Sequence, residues 1–123
     1  MKHLLLIAIA GAVGAMARYT LVNFVGGRNF PWGTMTVNIL GSFLMGVAYI
    51  VIVEKAFISP EMKPFFMTGF LGAFTTFSAF SLEAWQLLDR GETIQALTYV
   101  AGSVIFCLMA VMVGVFMTRL TLN

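Results

Sequence analysis

Apolar residues run along this chain in four long blocks, separated by short interruptions where charge, glycine or proline gathers. The blocks cover residues 4–25, 32–53, 64–88 and 94–117. Each is long enough for a helix to cross the hydrocarbon core of a bilayer, which takes roughly 20 apolar residues. Charges mark the ends: Glu54 and Lys55 after the second block, Asp89 and Arg90 after the third, Arg119 after the fourth. Only Arg18 and Glu83 fall inside a block. Gly26-Gly27, Pro31, Ser59-Pro60 and Gly91 supply turns between the blocks. The pattern predicts an all-α membrane protein in which residues 1–123 form a single four-helix transmembrane domain, with no linker, tail or low-complexity tract.

Composition sharpens this reading. The 123 residues are 60% hydrophobic and only 10% charged, with a mean hydropathy of +0.96, whereas soluble domains carry roughly 25% charged residues. So small a chain cannot hide that much apolar surface within itself; lipid must cover it. A scattered net charge of +2 gives no footprint for nucleic acid. The lone cysteine, Cys107, excludes an intrachain disulfide and a cysteine-based zinc site. Met1-Lys2-His3, the following apolar run and Ala15-Met16-Ala17 imitate a signal peptide with its cleavage site. The apolar run resumes after Arg18, so the segment is expected to be a retained helix.

Four spans put both termini and the middle loop on one side of the membrane. That side holds Lys2, Lys55, Lys63 and Arg119, against Arg28, Arg90 and the nearby Arg18 on the other. So even a distribution barely engages the positive-inside rule. Either the small bias still orients the chain, or the chain inserts both ways. In the second case two copies can pair antiparallel about an axis in the membrane plane.

Polar residues inside the spans are expected to face inward. Thr34, Asn38 and Ser42 recur every four residues along one face of the second span, and Tyr99, Ser103 and Cys107 do so in the fourth. Ser42 and Cys107 read as glue between helices, whereas the amide of Asn38, with two N–H donors, reads as functional. The third span is unusual. Its centre, 69–81, combines two glycines with consecutive β-branched threonines and is expected to break as a helix. Broken backbone survives at that depth only when buried in protein or lining a wet cavity. Freed carbonyls there can bind a cation, and a new helix start can favour an anion. Phe77 and Phe80 share a face within it, although phenylalanine is common in this chain and packing alone accounts for such a pair.

These strings resemble the Fluc fluoride channels, the CrcB family, over essentially the whole chain. The resemblance rests on Gly69-x-x-Gly72-Ala73-Phe74-Thr75-Thr76-Phe77-Ser78-x-Phe80, on Gly33-Thr34-x-x-Val37-Asn38-x-x-Gly41, and on Gly14-x-x-x-Arg18. It implies a dual-topology antiparallel homodimer in the bacterial inner membrane, with two pores that let fluoride leave the cytoplasm passively and so lower its toxicity. It implies that Phe77 and Phe80 line the path with their electropositive ring edges and that Asn38 donates to the anion. Thr34, Tyr99, Ser103, Ser78 and Glu83 fall on the polar track, and Arg18 at a vestibule. The backbone carbonyls of Gly72 and Thr75 would hold a structural sodium ion, Na+, between the two copies. Ala73, where many members have glycine, and Cys107, where a hydroxyl often stands, depart from the pattern.

Other classes make different demands. A small proton-coupled multidrug transporter needs a carboxylate in its first helix, where this chain has Arg18, and Glu83 is the only deep carboxylate. A non-transporting membrane subunit needs neither a broken helix nor aligned polar stripes. An enzyme is not expected: no Ser/His/Asp set or phosphate loop is present, and the single histidine, His3, lies at the terminus.

Overall fold

A computed structural model describes all of residues 1–123. The chain is entirely helical and contains four helices long and apolar enough to cross a membrane. Helix α1 is Lys2–Val25 and runs unbroken through residues 15–17. Helix α2 is Trp32–Glu54, its last turns, Tyr49–Glu54, widening to π-helical geometry. The third span consists of two helices. Its first half, α3, covers 64–74, a π-helical Pro64–Leu71 running into Gly72–Phe74. The second half, α4, is Phe77–Asp89. Helix α5, Thr93–Leu122, completes the bundle.

The four apolar blocks lie within these helical spans, with one instructive difference. The fourth helix does not stop at 117 but continues through Arg119 to Leu122. Arg119 reaches across to the end of α2, where its Nε and Nη2 donate to the Glu54 carboxylate at 3.0 and 2.6 Å. Paired in this way at the water boundary, an arginine extends a helix rather than ending it. Lys55 Nζ donates to Asn123 Oδ1 at 2.8 Å beside this pair, which fixes the middle loop against the C-terminus.

Helix α1 packs on α3 and α2, and α2 has its most extensive contact with α5. Helix backbones meet closely where side chains vanish: a Cβ on Gly114 would strike the Phe43 carbonyl of α2, and one on Gly69 would stand 2.8 Å from Ala10 Cβ in α1. Such small-residue contacts are how helices associate in lipid, where burying apolar surface gives no drive. Only 19 of the 123 residues are buried. The rest of the apolar surface faces outward, as a chain solvated by lipid requires. The principal interior cluster, Met35, Phe80, Leu87, Ala96 and Tyr99, joins α2, α4 and α5 near the end that carries the first and third loops.

The break in the third span lies at Thr75 (φ −92°, ψ 160°) and Thr76 (φ −151°, ψ 122°). The glycines expected to help cause it do not take part. Gly72 is helical at φ −62°, ψ −35°, and Gly69 sits within α3 as the close contact to α1. The paired threonines, whose branched side chains tolerate extended backbone best, make the break.

Candidate functional site

A break at mid-membrane exposes backbone groups that each cost several kcal/mol, of order 2–7, if left bare in hydrocarbon. The chain meets part of this with three side chains. Asn38 clamps the Thr76 peptide: its Oδ1 accepts from Thr76 N–H at 2.8 Å, and its Nδ2 donates to the Thr76 carbonyl at 3.0 Å. Arg18 Nε, from α1, donates to the Ala73 carbonyl at 3.1 Å. Thr76 Oγ1 caps the start of α4 by accepting from Ala79 N–H at 3.2 Å, an ordinary N-cap.

These bonds redirect two backbone donors. The helical partner of the Gly72 carbonyl would be the amide of Thr76, which instead donates to Asn38. The partner of the Thr75 carbonyl would be the amide of Ala79, which instead donates to Thr76 Oγ1. The Gly72 and Thr75 carbonyl oxygens thus lack these two helical donors. Gly72 is exposed on the surface of the single chain, and Thr75 is partly so.

A pocket of about 300 Å³ opens beside the break, lined by Asn38, Ser42 and Met45 of α2, by Thr75, Thr76, Phe77 and Phe80, and by Ser103 and Cys107 of α5. Two residues of each polar stripe thus meet at one cavity, and Thr34 and Tyr99 lie outside its lining. Ser42 and Cys107, expected to be interhelical glue, adjoin each other across α2 and α5 and also belong to its lining. The Phe77 and Phe80 rings stand 5.5 Å apart at 52°. Phe80 is buried against Tyr99, ring centroids 5.1 Å apart, whereas Phe77 is 78% exposed.

Toward the end of the bundle carrying the first and third loops, Thr34 Oγ1 donates to Glu83 Oε1 at 2.6 Å. Glu83 borders two small cavities there, one reaching Asn23 and Gly27, the other Arg28, Gln86 and Arg90. Tyr99 is fully buried and Ser103 is 4% exposed. Neither hydroxyl makes a hydrogen bond of ordinary length within the chain, the Tyr99 hydroxyl lying near Thr34. Buried polar side chains nearly always have one, so these two mark the interior as a place built for a polar guest.

Besides Thr34, Glu83, Tyr99 and Gly72, two further expected site residues are not part of the pocket's lining. Ser78 is exposed at the start of α4, its Oγ 3.4 Å from Thr76 Oγ1. Arg18 lies on the α1 side of the break with Ala73, so its contact within the chain is that of a backbone cap. The importance of Thr76 was missed, although a threonine three residues before Ala79 at a helix start is a legible capping signal.

Comparison with known proteins matches residues 5–115 to a family model described as CrcB-like protein, Camphor Resistance (CrcB). A protein of Hahella chejuensis named fluoride-specific ion channel FluC is 51% identical, over 98% of this chain and 97% of its own length. Proteins with the same name from Magnetococcus marinus and Rhizobium meliloti are each 44% identical, over 93% and 97% of this chain.

Proposed function

The chain belongs to the CrcB family, and from that premise we propose that it is a fluoride-selective channel, a multi-pass bacterial membrane protein that conducts rather than catalyses. The observation that carries the reading is the pair of buried, unpartnered hydroxyls, Tyr99 and Ser103, in and beside a pocket at a broken helix. Fluoride is small and holds its hydration shell strongly, so its passage requires donors that replace water. Ser103, Ser42 and Tyr99 offer O–H groups, and Asn38 retains one amide N–H beyond the one given to Thr76. The rings of Phe77 and Phe80 offer electropositive edges. None of these is a full positive charge, and conduction requires that no single site hold the ion too tightly. Thr34 and Glu83 stand toward one mouth, where Glu83 is engaged by a hydroxyl instead of standing free at mid-membrane as a proton-coupled carrier would need.

The functional unit is an antiparallel homodimer with two pores. Phe77 and Gly72, exposed in the single chain, support this, because a second copy would cover them. The Gly72 and Thr75 carbonyls fit a hard cation such as sodium, which takes oxygen ligands and whose charge would offset dipoles deprived of their helical donors. Purified protein in liposomes is expected to release fluoride passively, with chloride far slower and replacement of sodium weakening the dimer. Equal fluxes of the two anions, or release that demands a proton gradient, would count against the channel.

A further inference from the structure

Cys107 stands halfway along α5, Thr93–Leu122, at the depth of the bilayer centre. A thiol at that depth facing lipid would be out of reach of water-borne reagents. Cys107 instead is half-buried and borders the pocket at the break, together with Met45. Ser103, one turn earlier on the same helix face, lines the same pocket with a hydroxyl that is 4% exposed and has no partner in the chain. That hydroxyl says a polar guest reaches this place, and Cys107 is its neighbour. A thiol and a thioether therefore border a cavity into which ions can pass, and both sulfur types select soft cations.

We propose that Cys107 and Met45 form a site for a soft, thiophilic monovalent cation of the silver(I) or copper(I) class, and that its occupation stops ion passage through the pocket. On binding, the Cys107 S–H bond breaks, the proton leaves to water, and the sulfur's electron pair forms the bond to the metal. Met45 Sδ adds a second lone pair without losing a proton, and no oxidation state changes. A metal fixed there takes up room in a cavity of about 300 Å³ and narrows the way past it, so the block is one of occupancy. The metal site rests on the lining that Cys107 and Met45 share with the unpartnered Ser103 hydroxyl; the block rests on the reading of the pocket as the ion path.

Two readouts separate these parts. In chloride-free nitrate buffer, silver nitrate is added to protein in liposomes. Alkylation of Cys107 by iodoacetamide is followed by mass spectrometry, and fluoride efflux by electrode. Micromolar silver is expected to protect Cys107 and to slow efflux by at least about tenfold, restored by dithiothreitol. Cys107→Ser, measured against its own untreated flux, is expected to escape the block. Met45→Leu is expected to raise the silver needed by about tenfold while leaving alkylation intact. Failure of iodoacetamide to reach Cys107, alkylation indifferent to silver, or equal block of Cys107→Ser overturns the proposal. Unchanged silver affinity in Met45→Leu overturns the two-sulfur site. Protection of Cys107 with unhindered efflux leaves the metal site standing and overturns the block, and with it the assignment of this pocket to the ion path.

Discussion

Asn38 does two things with one side chain, and its neighbours Phe77 and Phe80 do different things with the same one. The amide both accepts from and donates to Thr76. Asn38→Asp keeps the acceptor but sets a carboxylate against the Thr76 carbonyl, so it is expected to lose more flux than Asn38→Ser. The loss in Asn38→Asp should be roughly ten- to a hundredfold, the equivalent of a buried carbonyl stripped of its donor. Efflux assays beside a gel-filtration check of assembly decide this. Phe77→Ile is the cleaner test of an aromatic edge, because Phe77 is 78% exposed and meets the interior only through Phe80. Phe80→Ile also loosens the contact with Tyr99, so its loss of flux is expected with some loss of thermal stability. Phe43→Ile, on the far side of α2 from the pocket, should conduct like the parent, and a collapse there would mean that the assay reports folding.

At the scale of elements, the third span shows what a sequence discloses and what it withholds. Four spans were legible because lipid enforces long apolar blocks, and the break was legible because threonine pairs and glycines crowd its centre. The reason for the glycines was not. Gly69 serves contact with α1, and no local pattern tells a glycine needed for approach from one that weakens a helix. Nor could spacing reveal that Asn38 and Arg18, from two other helices, supply bonds to the break, because such pairings arise only in the packed bundle. The cap on α4 carries its own prediction. Thr76→Val removes the oxygen that Ala79 N–H uses and is expected to destabilise the protein by about 1 kcal/mol, with Thr76→Ser close to the parent. Thermal unfolding in detergent reads both.

The whole molecule carries its positive residues almost evenly on two sides. Single cysteines placed beside Lys55 in a Cys107→Ser background are therefore expected to label from both faces of the membrane, and labelling from one face alone would refute dual insertion. Two or three lysines added to the middle loop should force one orientation and silence the protein until an oppositely biased copy is supplied. The grip of Asn38 on both sides of one peptide has an electrical consequence. Backbone held from its N–H and its C=O does not swing, so on the proposed path an ion would meet a fixed hole, with the direction of traffic left to gradient and voltage. One charge crossing 100 mV is worth about 2.3 kcal/mol, or roughly a fiftyfold ratio of concentrations. A cell held negative inside by that much would drain fluoride to about one-fiftieth of the outside level, drawing only on the battery it already maintains for other work.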